Sequence, residues 1–288
     1  MTEPRLKHVH CLDTRGLHRM AYWEWGDATN ARVLVCVHGL ARQGRDFDVL
    51  AQALSDHYRV VCPDVVGRGQ SDWLADPLGY QMPAYAADMV TLLARLDANE
   101  LHWLGTSMGG LIGMGLAALP QSPIKRLVLN DVGPTIQAEA IARIGAYLGL
   151  PLHWPNLDAA ADYMLSISKG FGPHTREQWL ALTRPMLKAD GADLKPHYDP
   201  NIAVPFRSIT PEAAAVGQAA LWRSYDAIAC PTLLLRGADS DLLTRETAQD
   251  MTRRGPKAGL KEFAHVGHAP TLVAPDQVRA VREFLLAP

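Results

Sequence analysis

A chain of 288 residues with 48% hydrophobic side chains can bury a substantial core as one large domain or two small ones, with no disulfide or metal needed to hold it. A formal charge of −2, with acidic and basic residues interspersed, argues against nucleic acid or an anionic membrane as partner. Residues Met1 to Lys7 lack the apolar core of a signal peptide, and no apolar run approaches the ~20 residues of a membrane span. The cysteines at 11, 36, 62 and 230 read as buried reduced thiols, so the expected location is cytoplasmic.

In chain order, Lys7–Leu12 and Arg19–Trp25 read as a hairpin turned at Thr14, Arg15 and Gly16. Strand-like runs then alternate with helical patterns: Val33–Val37, Tyr58–Cys62, Leu101–Gly105, Ile124–Leu129, Thr232–Arg236 and Leu260–Phe263. Tyr85, Met89, Leu92, Leu93 and Leu96 have amphipathic helical spacing, as do Val278, Val281 and Leu285 near the end. Alternation of this kind implies a mostly parallel sheet covered on both faces, with loops converging at the carboxyl ends of the strands.

The alternation breaks after Pro134. Ile136–Leu150, Leu157–Ser168 and Thr175–Leu187 read as helices separated by Pro and Gly, and a new helix is announced at Thr210, Pro211 and Glu212. Residues 134–205 are therefore expected to form a helical cap inserted into a core of residues 1–133 and 206–288.

One pentapeptide carries chemistry. Gly105-Thr106-Ser107-Met108-Gly109 follows an apolar strand and opens a helix of small residues, the context of a nucleophile elbow rather than of a simple helix cap. A serine hydroxyl needs a base to take its proton, a carboxylate to hold that base in one tautomer, and two N–H donors for the oxyanion. Three further segments answer these needs: His38-Gly39-Leu40 after the third strand, Gly237-Ala238-Asp239-Ser240-Asp241 after the seventh, and His265-Val266-Gly267-His268 close to the end. Nucleophile, acid and base come in the order Ser, Asp, His.

With these segments, Pro63-Asp64-Val65-Val66-Gly67-Arg68-Gly69-Gln70-Ser71 and Leu129-Asn130-Asp131-Val132-Gly133-Pro134 included, nearly the whole chain resembles the α/β-hydrolase superfamily, in its branch of esterases, carbon–carbon bond hydrolases and lactonases. The resemblance implies an eight-stranded, mostly parallel sheet flanked by helices, with the cap inserted after the sixth strand. It implies Ser107 as nucleophile and His268, in its Val-Gly-His-Ala-Pro context, as base in preference to His265. Asp241 is expected as the acid. Asp239 and Asp131 stay open as alternatives; Asp131 follows the preceding strand, where some relatives carry the acid. The backbone N–H groups of Leu40 and Met108 would hold the oxyanion.

Several side chains have quieter readings. His38 and Arg68 are expected to brace loops. Arg42 and Arg45, just beyond the oxyanion loop, are possible contacts for a substrate carboxylate or else solvated charges. Met82, Met89, Met164 and Trp179 read as packing, and the i, i+3 pair His265 and His268 has no third ligand nearby, so no metal is expected. The resulting expectation is a cofactor-free serine hydrolase acting through an acyl-enzyme on a small or medium carboxylic ester. The alternatives are hydrolysis of a vinylogous 1,5-diketone, a lactone or a thioester with the same residues, or a small-molecule receptor of the same fold. An epoxide hydrolase or dehalogenase is disfavoured, since those relatives place aspartate where Ser107 stands.

Overall fold

The structure, a computed structural model, describes residues 3–207 and 210–288. The first two strands, β1 (Arg5–Asp13) and β2 (Gly16–Trp25), form an antiparallel hairpin. Asp13 closes its turn by accepting the Arg15 and Gly16 N–H groups at 2.7 and 2.9 Å. Then follow β3 (Arg32–Val37), α1 (Asp48–Leu54), β4 (Arg59–Pro63), α2 (Met82–Leu96), β5 (Glu100–Thr106), α3 (Met108–Ala117) and β6 (Ile124–Asn130). The chain then leaves the sheet for α4 (Ala138–Tyr147), α5 (Leu157–Ile167), α6 (Arg176–Thr183), β7 (Leu187–Asp190), β8 (Asp193–Pro196) and α7 (Ala203–Arg207). It returns through α8 (Pro211–Ala227), β9 (Thr232–Gly237), α9 (Arg245–Met251), β10 (Gly259–Phe263) and α10 (Pro275–Leu286).

Eight strands make one sheet in the order β1-β2-β4-β3-β5-β6-β9-β10, parallel from β4 onward. Strand β3 shows why a continuous apolar run is needed at the centre. Val33, Val35 and Val37 point to one face and pack with Met89, Leu92 and Trp103, while Leu34 and Cys36 point to the other with Leu54, Leu104 and Val281. Each face has its own core. Helix α2 presents Tyr85, Met89, Leu92 and Leu96 to the first core at helical spacing and stops at Asp97, which is left-handed (φ 49°). At the hairpin, Cys11 and His18 face each other across the ladder, and the Asp88 carboxylate of α2 accepts from His18 Nε2 at 3.0 Å.

The eight strands fall where the sequence predicts them. The excursion after β6 differs in detail. The pattern Thr175–Leu187 stops as an α-helix at Thr183, because Pro185 cannot continue it and Arg184–Met186 tighten into a single 3-10 turn. Beyond that turn lies an unanticipated two-stranded ribbon, β7 and β8, turned at Gly191 (φ 63°). Helix α4 ends at Tyr147, short of Leu150, where Gly149 adopts φ 74° ahead of Pro151. All four cysteines are free thiols, three of them buried. No helix among the described residues is long and apolar enough to cross a membrane.

Candidate active site

Strand β5 passes into α3 through a single residue, Ser107, whose backbone sits at φ 51° and ψ −116°. A non-glycine residue there stores strain of about 1–3 kcal/mol, which the surroundings must hold. Two glycines make the bend possible. A Cβ on Gly105 would lie 2.2 Å from the Gly109 carbonyl, and one on Gly109 would lie 2.0 Å from the Val37 carbonyl oxygen. The Ser107 N–H donates to the Asn130 carbonyl at 3.1 Å, and the Trp103 indole donates to the Gly109 carbonyl at 3.1 Å. The hydroxyl thus stands at the carboxyl end of β5, in the centre of the sheet.

His268 meets that hydroxyl from the far end of the chain. Its Nε2 lies 3.1 Å from Ser107 Oγ, and its Nδ1 lies 2.8 Å from Oδ2 of Asp131. Asp131 is fully buried, follows β6 directly, and has φ 53°. Its Oδ1 accepts the Gly237 N–H at 2.8 Å, and its Oδ2 also accepts the Ser240 hydroxyl at 2.6 Å. A carboxylate with these donors can only accept from the imidazole. Nδ1 therefore carries the proton, and the Nε2 lone pair faces the serine.

Asp241, expected as the acid, lies away from the His268 ring. Its side chain is half exposed and turned outward, where it pairs with Arg143 of α4 at 2.7 and 3.0 Å. Its neighbour Ser240 reaches Asp131 instead. Asp239 is exposed, and His265 is exposed as well, so neither joins the cluster. The sequence signal for Asp131 was its place immediately after a strand, parallel to that of Ser107 after β5. Asp241 stands near a strand end too, and spacing alone could not separate them.

The loop bearing His268 is tied down from several sides. Asn130 donates from Nδ2 to the Thr106 hydroxyl at 2.9 Å and to the Pro270 carbonyl at 2.8 Å. The Gly267 N–H donates to the Gly170 carbonyl in the excursion at 2.6 Å, and His174 Nε2 lies 2.8 Å from the Thr271 hydroxyl.

His38 braces the loop after β3, as expected. Its Nδ1 donates to the Gly39 carbonyl at 2.7 Å and its Nε2 accepts the Val65 N–H at 2.9 Å. Burial pushes its pKa down to about 3, so the ring is neutral. Leu40 and Met108 flank Ser107, and no protein acceptor among the described residues takes the N–H of either. Arg68, entirely buried, donates from Nε to the Leu40 carbonyl at 2.8 Å.

Ser107 and His268 lie on the floor of a cavity roofed by the excursion, whose walls include Leu152, Trp154, Tyr163, Met164, Ile167 and Phe171. Met164, expected as packing, is thus part of the cavity wall, whereas Met89 lies in the core and Trp179 is buried, stacked on Phe171 at 6.0 Å. Arg42 borders the cavity, but Asp46 holds its guanidinium bidentately at 2.7 and 2.5 Å, and the Leu182 carbonyl takes a third bond at 3.1 Å. Arg45 does not border it. Its guanidinium is held by Asp48 at 2.7 Å and lies over the Trp23 ring at 4.9 Å. Apart from Arg42, Asp46 and Arg143 at its border, the cavity walls among the described residues are largely apolar and aromatic, above the chain from Ser107 through His268 to Asp131.

A family model for the alpha/beta hydrolase fold matches residues 32–163. The 3-hydroxybutyrate-oligomer hydrolase of Cupriavidus necator is 56% identical over 98% of this chain and 97% of its own length. A pimeloyl-[acyl-carrier protein] methyl ester esterase of Photobacterium profundum is 26% identical over 91% of this chain and 97% of its own. An alpha/beta hydrolase structure from Novosphingobium aromaticivorans superposes with a TM-score of 0.87 at 34% identity, covering 99% of both chains. The chain belongs to the α/β-hydrolase superfamily.

Proposed function

We propose that the protein is a serine hydrolase that cleaves carboxylic esters through an acyl-enzyme, with Ser107 as nucleophile, His268 as base and Asp131 as the acid that orients it. The observation that carries this reading is the hydrogen-bonded chain from Ser107 Oγ through the His268 ring to Asp131, at 3.1 and 2.8 Å. His268 Nε2 takes the serine proton as Oγ bonds to the ester carbonyl carbon. The N–H groups of Leu40 and Met108 hold the oxyanion. As the tetrahedral adduct collapses, the imidazolium returns its proton to the departing alkoxy oxygen. Water then gives a proton to the same nitrogen and attacks the acyl carbon, and Ser107 leaves with that proton. Residues 134–205 act as a cap that shapes the cavity.

For the substrate, we propose short linear esters of hydroxy acids, with 3-hydroxybutyrate oligomers first among them. Support comes from the 56% identity to the Cupriavidus necator enzyme along nearly the whole chain and from the apolar, aromatic cavity walls. Labelling with a fluorophosphonate probe, read by intact mass, tests the nucleophile: one adduct is expected, absent in Ser107→Ala. Turnover of a 3-hydroxybutyrate dimer and trimer beside p-nitrophenyl esters and a ring-cleavage dienone tests the bond. Fast dienone turnover with negligible ester turnover would replace the ester reading by carbon–carbon hydrolysis, and a well-folded protein that takes no label would favour a binding role.

A further inference from the structure

Arg68 is one of the largest fully buried side chains in the molecule, and its guanidinium keeps its charge in any protein. Its polar contacts are neutral: the Leu40 carbonyl at 2.8 Å from Nε, the Val66 carbonyl at 2.6 Å and the Tyr85 hydroxyl at 3.0 Å from Nη1, and the Met108 sulfur at 3.8 Å from Nη2. Among the described residues no carboxylate stands within ion-pairing distance of it. The rings of Tyr85 and Tyr80 also lie beside it, with centres 5.0 and 5.8 Å from the guanidinium carbon.

Taking an unpaired charge out of water is unfavourable, and an apolar side chain of similar volume would fill this space without that cost. What a guanidinium adds is a rigid planar head with donors in several directions. Here two of those directions lead to Leu40 and Met108, residues far apart in the chain that flank Ser107 from two sides. The bond to the Leu40 carbonyl fixes the peptide that follows Leu40, and so the rotation of the residue whose own N–H precedes it. The contact with the Met108 sulfur holds the side chain of the first residue of α3 against the same anchor.

We propose that Arg68 is a positioning residue for the oxyanion site, one buried fork that sets the orientation of the Leu40 and Met108 amides relative to each other. The inference rests on the serine-hydrolase reading above, and it extends the loop-bracing role expected for Arg68 from its sequence context. A fork that orients two donors does most when charge develops on the carbonyl oxygen and little in the ground-state complex.

The test is Arg68→Lys, which keeps the charge and loses the fork, measured on a short p-nitrophenyl ester. A lost oxyanion donor typically costs about 10²–10³ in kcat, so mis-aimed donors should lower kcat about 10- to 100-fold while KM stays within about threefold. Inhibition by phenylboronic acid, which forms a tetrahedral adduct on the serine, should weaken in parallel, with inhibition by the product acid unchanged. A folded Arg68→Lys protein with kcat within about twofold of the parent, or one whose loss lies wholly in KM, overturns the proposal. If Arg68→Lys does not fold by circular dichroism, Arg68→Gln, which keeps an N–H for the Leu40 carbonyl, carries the same test. Failure of both to fold also overturns it, because the residue would then serve the fold alone. An unmodified chain that takes no fluorophosphonate label removes the serine-hydrolase reading itself, whereas a labelled parent with equally fast variants removes only the role of Arg68.

Discussion

The His268 ring stands between Ser107 Oγ at 3.1 Å and Asp131 Oδ2 at 2.8 Å, so a single imidazole bridges the ends of two neighbouring parallel strands, β5 and β6. Asp241, on the loop after the next strand, is turned away toward Arg143. Exchanging the two carboxylates for amides should therefore separate them sharply. Asp131→Asn presents the wrong hydrogen-bonding group to Nδ1 and should lower kcat about 10³–10⁴-fold. Asp241→Asn breaks only a half-exposed ion pair and should leave kcat within about threefold of the parent. Steady-state kinetics on one chromogenic ester decides, and a large loss in Asp241→Asn with Asp131→Asn active would reverse the assignment.

The elbow has no room at Gly109. A methyl group there meets the Val37 carbonyl oxygen at 2.0 Å, backbone that cannot rotate aside. Gly109→Ala should destabilise the fold by about 3 kcal/mol or prevent its accumulation. Gly217, on α8, has open space where its Cβ would be and serves as the control. Thermal melting of the two alanine variants should show a large drop for the first and little change for the second; equal melting temperatures would mean that the strand–helix junction relaxes freely.

Acid should weaken the fold through His38. The folded ring is neutral, with its pKa held down at about 3 by burial, while the ring of the unfolded chain titrates around its ordinary 6.5. Below pH 6.5 the unfolded chain binds a proton that the folded chain does not, so the stability this ring contributes is complete above 6.5 and is lost as pH falls toward 3. Urea midpoints measured from pH 7.5 to 4 should fall more steeply for the parent than for His38→Gln. Parallel curves would show that His38 carries none of the acid sensitivity.

Trp154 forms part of the cavity wall, tilted against Tyr163 with ring centres 5.3 Å apart. Its backbone is pinned to Leu194 of β8 by two hydrogen bonds of 2.8 Å, so truncation should open the wall without releasing the segment. On the proposed ester reading, removing the indole should forfeit apolar contact made alike by ground state and transition state. KM for a 3-hydroxybutyrate trimer should rise about tenfold with kcat nearly unchanged. A shorter ester should be less affected. Equal effects on both esters would place the acyl chain elsewhere.

Much of the scaffold could be read from the chain because central parallel strands are buried on both faces. Val33–Val37 needs an apolar side chain at every position, and so announces itself. The tight bend at Ser107 was legible for a steric reason, since only glycine tolerates the approaches at 105 and 109. The acid was not. Asp131 and Asp241 both stand close behind strands, and the choice between them depends on where the Gly237 N–H and the Ser240 hydroxyl converge in space. The β7–β8 ribbon was hidden for another reason: its half-exposed residues include Lys188, Asp190 and Lys195, which give no strong alternation. Arg42 and Arg45 looked available in sequence, yet each has an aspartate three or four residues further on that occupies its fork.

The bond between the Gly267 N–H and the Gly170 carbonyl gives the roof and the imidazole a common hinge. Any exchange of residues 169–171 made to admit a different acyl chain would also tug on the segment that aims the ring at Ser107. Selectivity and turnover should thus be mechanically linked, and altering the preference for one ester over another should carry a penalty in speed until the hinge is rebuilt.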